Sequence, residues 1–245
     1  MSAGTSAYHA SLARGRKRAR GPTHYRPAKK QRSNGYTRRS GFYGRFSGKS
    51  PELKFMDSTA TSTALAATGT VNSTSINLVD QGNGESQMIG RKIVIKSILV
   101  RATLQLPSTT NATLANIAGG DTYRIVVVLD KQANGAGPTI ANVFEDTDIR
   151  TMNDLENSQR FTIIKEWKGT LQRDVNHDGT NYMAGDVDRY IKWYKKCNVP
   201  IEFAPMSGGS RVIGEVKSNN IGILGFSGSG AMTFTFRCRI RYADA

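Results

Sequence analysis

Cysteine is scarce in this chain of 245 residues, where only Cys197 and Cys238 occur. Two thiols cannot supply a disulfide framework, nor the four ligands of a structural zinc site within one chain. A reducing, intracellular environment is the simpler interpretation, and a single disulfide between the two is left open. Histidine is nearly as rare, with only His9, His24 and His177. We therefore expect no metal centre built from these residue types.

Long hydrophobic runs are also missing. The most apolar stretch, residues 125–129, is far too short to cross a bilayer. Residues 1–17 lack the apolar centre of a secretion signal. The sequence therefore predicts a soluble protein that has no membrane partner and is not exported by the usual route.

Signatures of catalysis are absent or incomplete. No nucleophile elbow, paired-histidine zinc motif or cysteine–histidine signature occurs. Residues 48–50 (GKS) end like a phosphate-binding loop, but Tyr43 stands where its first glycine is required. Residues 174–179 (DVNHDG) resemble half of a calcium loop, yet Gly185 replaces the glutamate of the twelfth position. We predict no enzyme activity and no cofactor, and an Asx-rich turn in which weak ion binding is left open.

Acidic residues are absent from residues 1–50, and this segment holds thirteen of the 34 Lys and Arg of the chain. The net charge is +15, yet the remaining 195 residues set 21 basic against 19 acidic groups. The segment has almost no aliphatic residues, so it cannot bury enough apolar surface to offset chain entropy. The sequence predicts a disordered basic arm, residues 1–50, before a nearly neutral domain, residues 51–245.

The arm interleaves aromatic with basic side chains, a composition typical of segments that bind nucleic acid. Each Lys or Arg that meets a phosphate releases a counterion, and tyrosine rings can stack on exposed bases. A nucleic-acid partner is therefore favoured over a merely solubilising tail. The predicted nucleic-acid-binding residues are Arg14, Arg16, Lys17, Arg18, Arg20, Arg26, Lys29, Lys30, Arg32, Tyr36, Arg38, Arg39, Tyr43, Arg45 and Lys49.

Two basic clusters within the arm are spaced like a bipartite nuclear-localisation signal. Lys17 and Arg18 are followed, after ten residues, by Lys29, Lys30 and Arg32. Any dense basic tail can produce this pattern by chance, and the pattern alone weights the two interpretations equally. The same residues could serve DNA binding and binding by nuclear import factors.

Strand patterns dominate after residue 50. Residues 92–106 are rich in β-branched side chains and end at Pro107, and residues 123–129 form an almost continuous apolar run. Further candidate strands are residues 160–171, 189–196, 200–203 and 221–226, with a weak run at 75–79. Only a short helix is expected, at residues 140–146. Seven or eight strands predict an all-β fold, a single jelly-roll β-sandwich. The long connections at residues 107–121 and 174–188 are expected to be loops that contact partners.

The last strand has the clearest alternation. Its apolar face holds Phe234, Phe236, Cys238, Ile240 and Tyr242. The other face carries Arg237, Arg239 and Arg241. A period of two directs the first set toward a core and the second toward something polar. The arginines either pair with acidic neighbours or line a surface that faces nucleic acid, and the sequence favours neither.

Six blocks carry a family resemblance when taken in order behind the basic arm. They are residues 89–98 (IGRKIVIKSI), 123–131 (YRIVVVLDK) with 142–146 (NVFED), 160–167 (RFTIIKEW), 189–202, 220–226 and 234–244 (FTFRCRIRYAD). In these blocks the chain resembles the coat proteins of circular single-stranded DNA viruses, the geminiviruses and genomoviruses. The resemblance implies a jelly-roll capsid domain, a small T=1 icosahedral shell of identical copies, packaging of circular single-stranded DNA, and passage through the host nucleus.

These observations lead to one expected function and two alternatives. We expect a structural coat protein of a virion, whose partners are single-stranded DNA and other copies of the chain. One alternative is a cellular nucleic-acid-binding β-domain with a basic tail, which would form discrete complexes rather than closed shells. The other, an enzyme such as a nuclease, would depend on the loop at residues 174–188.

Overall fold

The computed structural model describes residues 53–112, 119–177 and 182–245. Strands make up most of these residues, and helix is limited to α1 (Ile140–Val143) and a 3-10 turn (Ile213–Glu215). The strands are β1 (Lys54–Ala64), β2 (Thr70–Ser73), β3 (Lys92–Leu106), β4 (Thr109–Ala112), β5 (Gly120–Asp130), β6 (Phe161–Gln172), β7 (Val175–His177), β8 (Tyr182–Ala184), β9 (Val187–Phe203), β10 (Val216–Ser218), β11 (Asn220–Ser227) and β12 (Thr233–Asp244). Within the described residues no helix is long and apolar enough to cross a membrane.

Two antiparallel sheets form a sandwich. Their strand orders are β1-β12-β3-β9-β10 and β2-β11-β5-β6. Leaving out the short edge strand β10, the eight strands of these sheets pair first with last, second with seventh, third with sixth and fourth with fifth. This is the pairing of a long hairpin rolled up on itself, which defines a jelly roll. The prediction of an all-β jelly-roll sandwich is confirmed.

The apolar core lies between the two sheets. Val100 and Ile240 enter it from the five-stranded sheet, and Ile125 and Ile223 enter it from the four-stranded one. The alternation predicted for the last strand is confirmed, because its five apolar side chains are at most 2% exposed while its three arginines are exposed. One face of β12 is therefore committed to the core, and the other is available for contacts outside the domain.

The connection between β5 and β6, residues 131–160, covers the outer face of the four-stranded sheet. This segment, called the cover below, packs Phe144 edge-on against Phe226 of β11, with ring centroids 5.3 Å apart. Gly222 of β11 permits the close approach, because a Cβ atom there would lie 2.5 Å from Cγ of Pro138. As a result β11 is buried along its whole length.

One ion pair and one hydrogen bond to a backbone carbonyl attach the cover to the sheet beneath it. Arg160 donates two hydrogen bonds of 2.9 Å to the carboxylate of Asp130, which is completely buried at the end of β5. Arg124, which is 3% exposed, pairs with Glu166 at 2.7 Å and donates a 2.6 Å hydrogen bond to the carbonyl of Thr151. The cover is thus fixed both at its end and near its middle.

Several predicted elements differ from the structure. Residues 75–79 are not a strand, although the backbone N–H of Ile76 donates to the carbonyl of Ile221. Residues 200–203 are the end of the long strand β9 rather than a strand of their own. The helix predicted at residues 140–146 ends at Val143, because Phe144 forms a β-bridge with Asn153.

The two long connections are not plain loops. Residues 107–121 contribute β4 and residues 174–188 contribute β7 and β8, which pair as a small third sheet in the order β4-β8-β7. Backbone pairing between Thr109 and Ala184 joins the two connections. The domain boundary predicted at residues 50–51 lies outside the described residues.

Candidate nucleic-acid interface

Six exposed basic side chains lie on the outer face of the five-stranded sheet. This surface, called the arginine face below, carries Arg101, Lys192, Lys196, Arg237, Arg239 and Arg241. Partners directly opposite each other in antiparallel strands point to the same side of a sheet, so the backbone register places these side chains in rows. The rows run from β12 across β3 to β9.

The central row contains three cations in succession. Arg237 of β12 lies opposite Arg101 of β3, and Arg101 lies opposite Lys192 of β9. The neighbouring rows place Arg239 beside Leu99 and Arg241 beside Ser97. Basic side chains from three strands therefore meet on one surface.

The charge of the central row is not compensated. Within the described residues, none of Arg101, Arg237 and Lys192 forms an ion pair with a carboxylate. Directly opposite side chains in a sheet have Cβ atoms about 4.5–5.5 Å apart, and like charges at that separation destabilise the pairing. Such a row reduces folding stability unless an anion lies against it, and phosphate is an anion that arginine binds well.

Arg239 differs from its neighbours on β12. It donates two hydrogen bonds of 2.6 Å to Asp57 of β1, and its guanidinium lies 4.8 Å from the ring centroid of Phe55. These hydrogen bonds hold the pKa of Asp57 below its usual value, with a smaller contribution from the charge of Arg237. Of the two explanations left open by the sequence, pairing with acidic neighbours holds for Arg239, whereas Arg237 and Arg241 form no ion pair with any residue that the structure describes.

Acidic side chains are concentrated on the opposite side of the sandwich. The cover exposes Glu145, Asp146, Asp148 and Glu156, with Arg150 among them. The β-domain therefore carries a cluster of exposed cations on one sheet and a cluster of exposed carboxylates over the other. Segregation of this kind gives a domain two electrostatically different sides.

Most of the remaining candidate residues are not described by the structure. The predicted nucleic-acid-binding and nuclear-localisation residues, from Arg14 to Lys49, lie outside the described residues, as do residues 178–181 of the loop considered for calcium. In the described part of the chain no group of three or more His, Cys, Asp or Glu could hold a metal ion. Burial raises the pKa of the thiols of Cys197 and Cys238, the latter to about 12, so neither is an activated nucleophile.

Sequence reasoning missed half of the arginine face. Arg101, Lys192 and Lys196 were not among the candidate residues, because their contribution depends on which strands are neighbours. A signal was present in β9, where Tyr190 and Tyr194 alternate with the two lysines at the period of a strand. The period of two shows that these four side chains of β9 share one face of the strand. The strand order β12-β3-β9 is needed to show that this face is the one that carries the arginines of β12.

Comparison of the chain with models of known protein families finds no match. Comparison with curated protein sequences finds none either. The functional argument therefore stands on the residues and their arrangement.

Replacing Arg101 by Gln is expected to stabilise the β-domain and to weaken DNA binding. Removing the central cation relieves repulsion with Arg237 and Lys192, a gain of roughly 0.2–1 kcal/mol in the free energy of unfolding. If the row binds phosphate, the substitution also removes one contact, and the slope of log affinity against log salt for a single strand should become shallower by about 0.7. Urea unfolding and oligonucleotide binding at several salt concentrations measure the two effects.

The matched control is Lys131→Gln, which removes one exposed cation from the cover. It is expected to change neither the free energy of unfolding nor the affinity for DNA and its salt dependence appreciably. A stabilised Arg101→Gln protein with undiminished DNA affinity and salt dependence would contradict the assignment of this row to phosphate.

Proposed function

We propose that the chain is a structural coat protein that assembles into a small T=1 icosahedral shell and packages circular single-stranded DNA. The β-domains tile the shell, and the basic arm neutralises the genome inside it. The arm also aids nuclear import, because import factors bind its two basic clusters. These clusters are Lys17 with Arg18, and Lys29, Lys30 and Arg32. The protein would then occur in the virion and in the host nucleus.

The observation that carries this proposal is the segregation of charge on a jelly roll. A shell subunit needs one side that tolerates a polyanion and another that does not attract it. The uncompensated row of Arg101, Arg237 and Lys192 supports the first role, and the acidic cover on the opposite side supports the second. The resemblance in the ordered blocks from residue 89 to residue 244 adds to this support.

Purified full-length protein, with and without circular single-stranded DNA, tests the proposal by negative-stain electron microscopy. We expect uniform spherical particles in which the DNA is protected from nuclease. A protein that stays monomeric at every salt concentration and pH would contradict the proposal. Discrete complexes with DNA that never close into shells would favour a cellular nucleic-acid-binding domain instead.

A further inference from the structure

Two tyrosines on β9 are unusually exposed for aromatic side chains. Tyr190 is 61% exposed and Tyr194 is 54% exposed. They lie on the same side of the strand as Lys192 and Lys196, and Tyr194 is in register with Leu99 of the arginine face. Because a strand rises about 3.3 Å per residue, the four side chains of this tyrosine–lysine row follow one another at intervals of about 7 Å.

The two rings have no ring partner among the described residues. In the described residues neither forms a ring–ring or cation–ring contact, whereas Trp193, which points inward between them, packs edge-on against Trp167 with centroids 5.8 Å apart. Core packing therefore explains the inward aromatic residue and leaves the two outward ones unexplained.

Protection of a sheet edge does not explain the row either. Strand β10 pairs with β9 only at Glu202 and Phe203, so residues 190–196 lie along an edge of the sheet. Lysines on an edge discourage pairing with other chains, which would account for Lys192 and Lys196. Exposed tyrosine rings do not repel a second chain, so protection of the edge does not account for their position.

We propose that the tyrosine–lysine row is a stacking site for the unpaired bases of a single-stranded nucleic acid. The inference rests on the proposed function and specifies which strand form the β-domain recognises. Bases offer their faces to a protein when they are unpaired and free of their neighbours in the stack, and tyrosine rings bind such faces without regard to sequence. The central row brings Arg101 beside Lys192, so phosphates can lie over the arginines while the bases extend toward the sheet edge.

Duplex DNA does not fit the row in this way. The major groove is about 12 Å wide and admits a helix or a two-stranded ribbon. The row lies on a sheet in which β12, β3 and β9 are adjacent, with neighbouring strands about 4.8 Å apart, so the sheet presents a broad surface instead of a ribbon. A duplex can therefore contact Lys192 and Lys196 through its phosphates and gains nothing from the tyrosines.

Double substitution of the tyrosines in the full-length protein tests the inference. Tyr190→Ala with Tyr194→Ala is expected to lower affinity for a short single strand about tenfold or more, because stacking is lost. Its salt slope and its affinity for a duplex of equal length should not change. Lys192→Ala with Lys196→Ala is expected instead to lower the affinity for both the single strand and the duplex. The slope of log affinity against log salt for the single strand should become shallower by about 0.7 per lysine.

Tyr190→Phe with Tyr194→Phe is the matched control, since it keeps both rings and should retain the affinity for the single strand. Photocrosslinking with a short oligonucleotide that carries iodouracil then locates the contact despite the basic arm. We expect crosslinked peptides that include residues 190–194. Crosslinks that never reach β9, or equal losses for single strand and duplex in the alanine variant, would overturn the inference.

The oligonucleotides are too short to organise a shell, so binding and crosslinking are measured apart from assembly. Stacking on β9 without any closed particle would retain this inference and reject the coat-protein proposal. Closed particles together with unchanged single-strand affinity in the Tyr190→Ala, Tyr194→Ala variant would retain the coat-protein proposal and reject this inference.

Discussion

Deletion of residues 1–50 is expected to lower the affinity for single-stranded DNA by about a hundredfold or more at physiological salt. The deleted segment holds thirteen cations and no acidic residue, while the rest of the chain has a net charge of only +2. The β-domain should stay folded, because its apolar core consists of residues from Leu65 onward and the arm has almost no aliphatic residues to bury. Oligonucleotide binding and urea unfolding of the truncated protein measure the two outcomes.

The matched control is a full-length protein whose thirteen arm cations are replaced by Gln, which keeps the chain length and removes the charge. It should lose most of the affinity and keep only what stacking on arm aromatics such as Tyr36 and Tyr43 supplies, and the remaining affinity of both proteins should fall further on Arg101→Gln. A truncated protein that binds DNA as well as the full chain would contradict the role of the arm. Fusion to a fluorescent protein adds a second readout, since replacing Lys29, Lys30 and Arg32 should reduce nuclear accumulation.

Replacing Arg160 by Ala is expected to lower the free energy of unfolding by about 3–5 kcal/mol. The variant leaves the carboxylate of Asp130 completely buried without the two hydrogen bonds that compensate its charge. A buried carboxylate without a charge partner is far more costly than an exposed one. Because Arg160 ends the cover, its loss should also release the acidic segment from the four-stranded sheet. Urea unfolding measures the first effect, and proteolysis within residues 131–160 measures the second.

Arg150→Ala is the control for this variant, because Arg150 is an exposed arginine of the same segment. Its effect should stay within about 0.5 kcal/mol. Adding Asp130→Asn to Arg160→Ala should recover part of the lost stability, since the uncompensated charge is then gone. Equal, small effects of Arg150→Ala and Arg160→Ala would show that the buried pair does not hold the cover.

The jelly roll could be predicted from the strands that bury their side chains. Residues 92–106 coincide with β3, and the alternation of residues 234–242 assigns both faces of β12 correctly. These strands are rich in β-branched and aromatic residues, and their burial imposes the period that the sequence displays. Strand β1 escaped prediction because its sequence, KFMDSTATSTA, is mostly polar and only Lys54 in it is buried, so backbone pairing with β12 defines it rather than a pattern of apolar residues.

The candidate site could be predicted only in part. The three arginines of β12 are visible in the sequence as an alternating set. Which of them has a carboxylate partner among the described residues depends on the side chains that β3 and β1 bring beside them, and only Arg239 has one there. The sequence also does not predict that residues 144–156 lie over one sheet with their acidic side chains exposed. This position depends on the packing of Phe144 against Phe226, which are far apart in the sequence. Charge segregation is thus a tertiary property that local patterns do not contain.

A cryo-electron microscopy reconstruction of particles assembled from the full-length protein with circular single-stranded DNA tests the coat-protein proposal and the orientation of its subunits together. We predict a closed shell in which Arg101, Arg237 and Lys192 line the interior beside nucleic-acid density, and in which Glu145, Asp146 and Asp148 of the cover face outward. A shell whose interior is lined by the acidic cover, or a preparation without closed particles at any salt concentration, would contradict it.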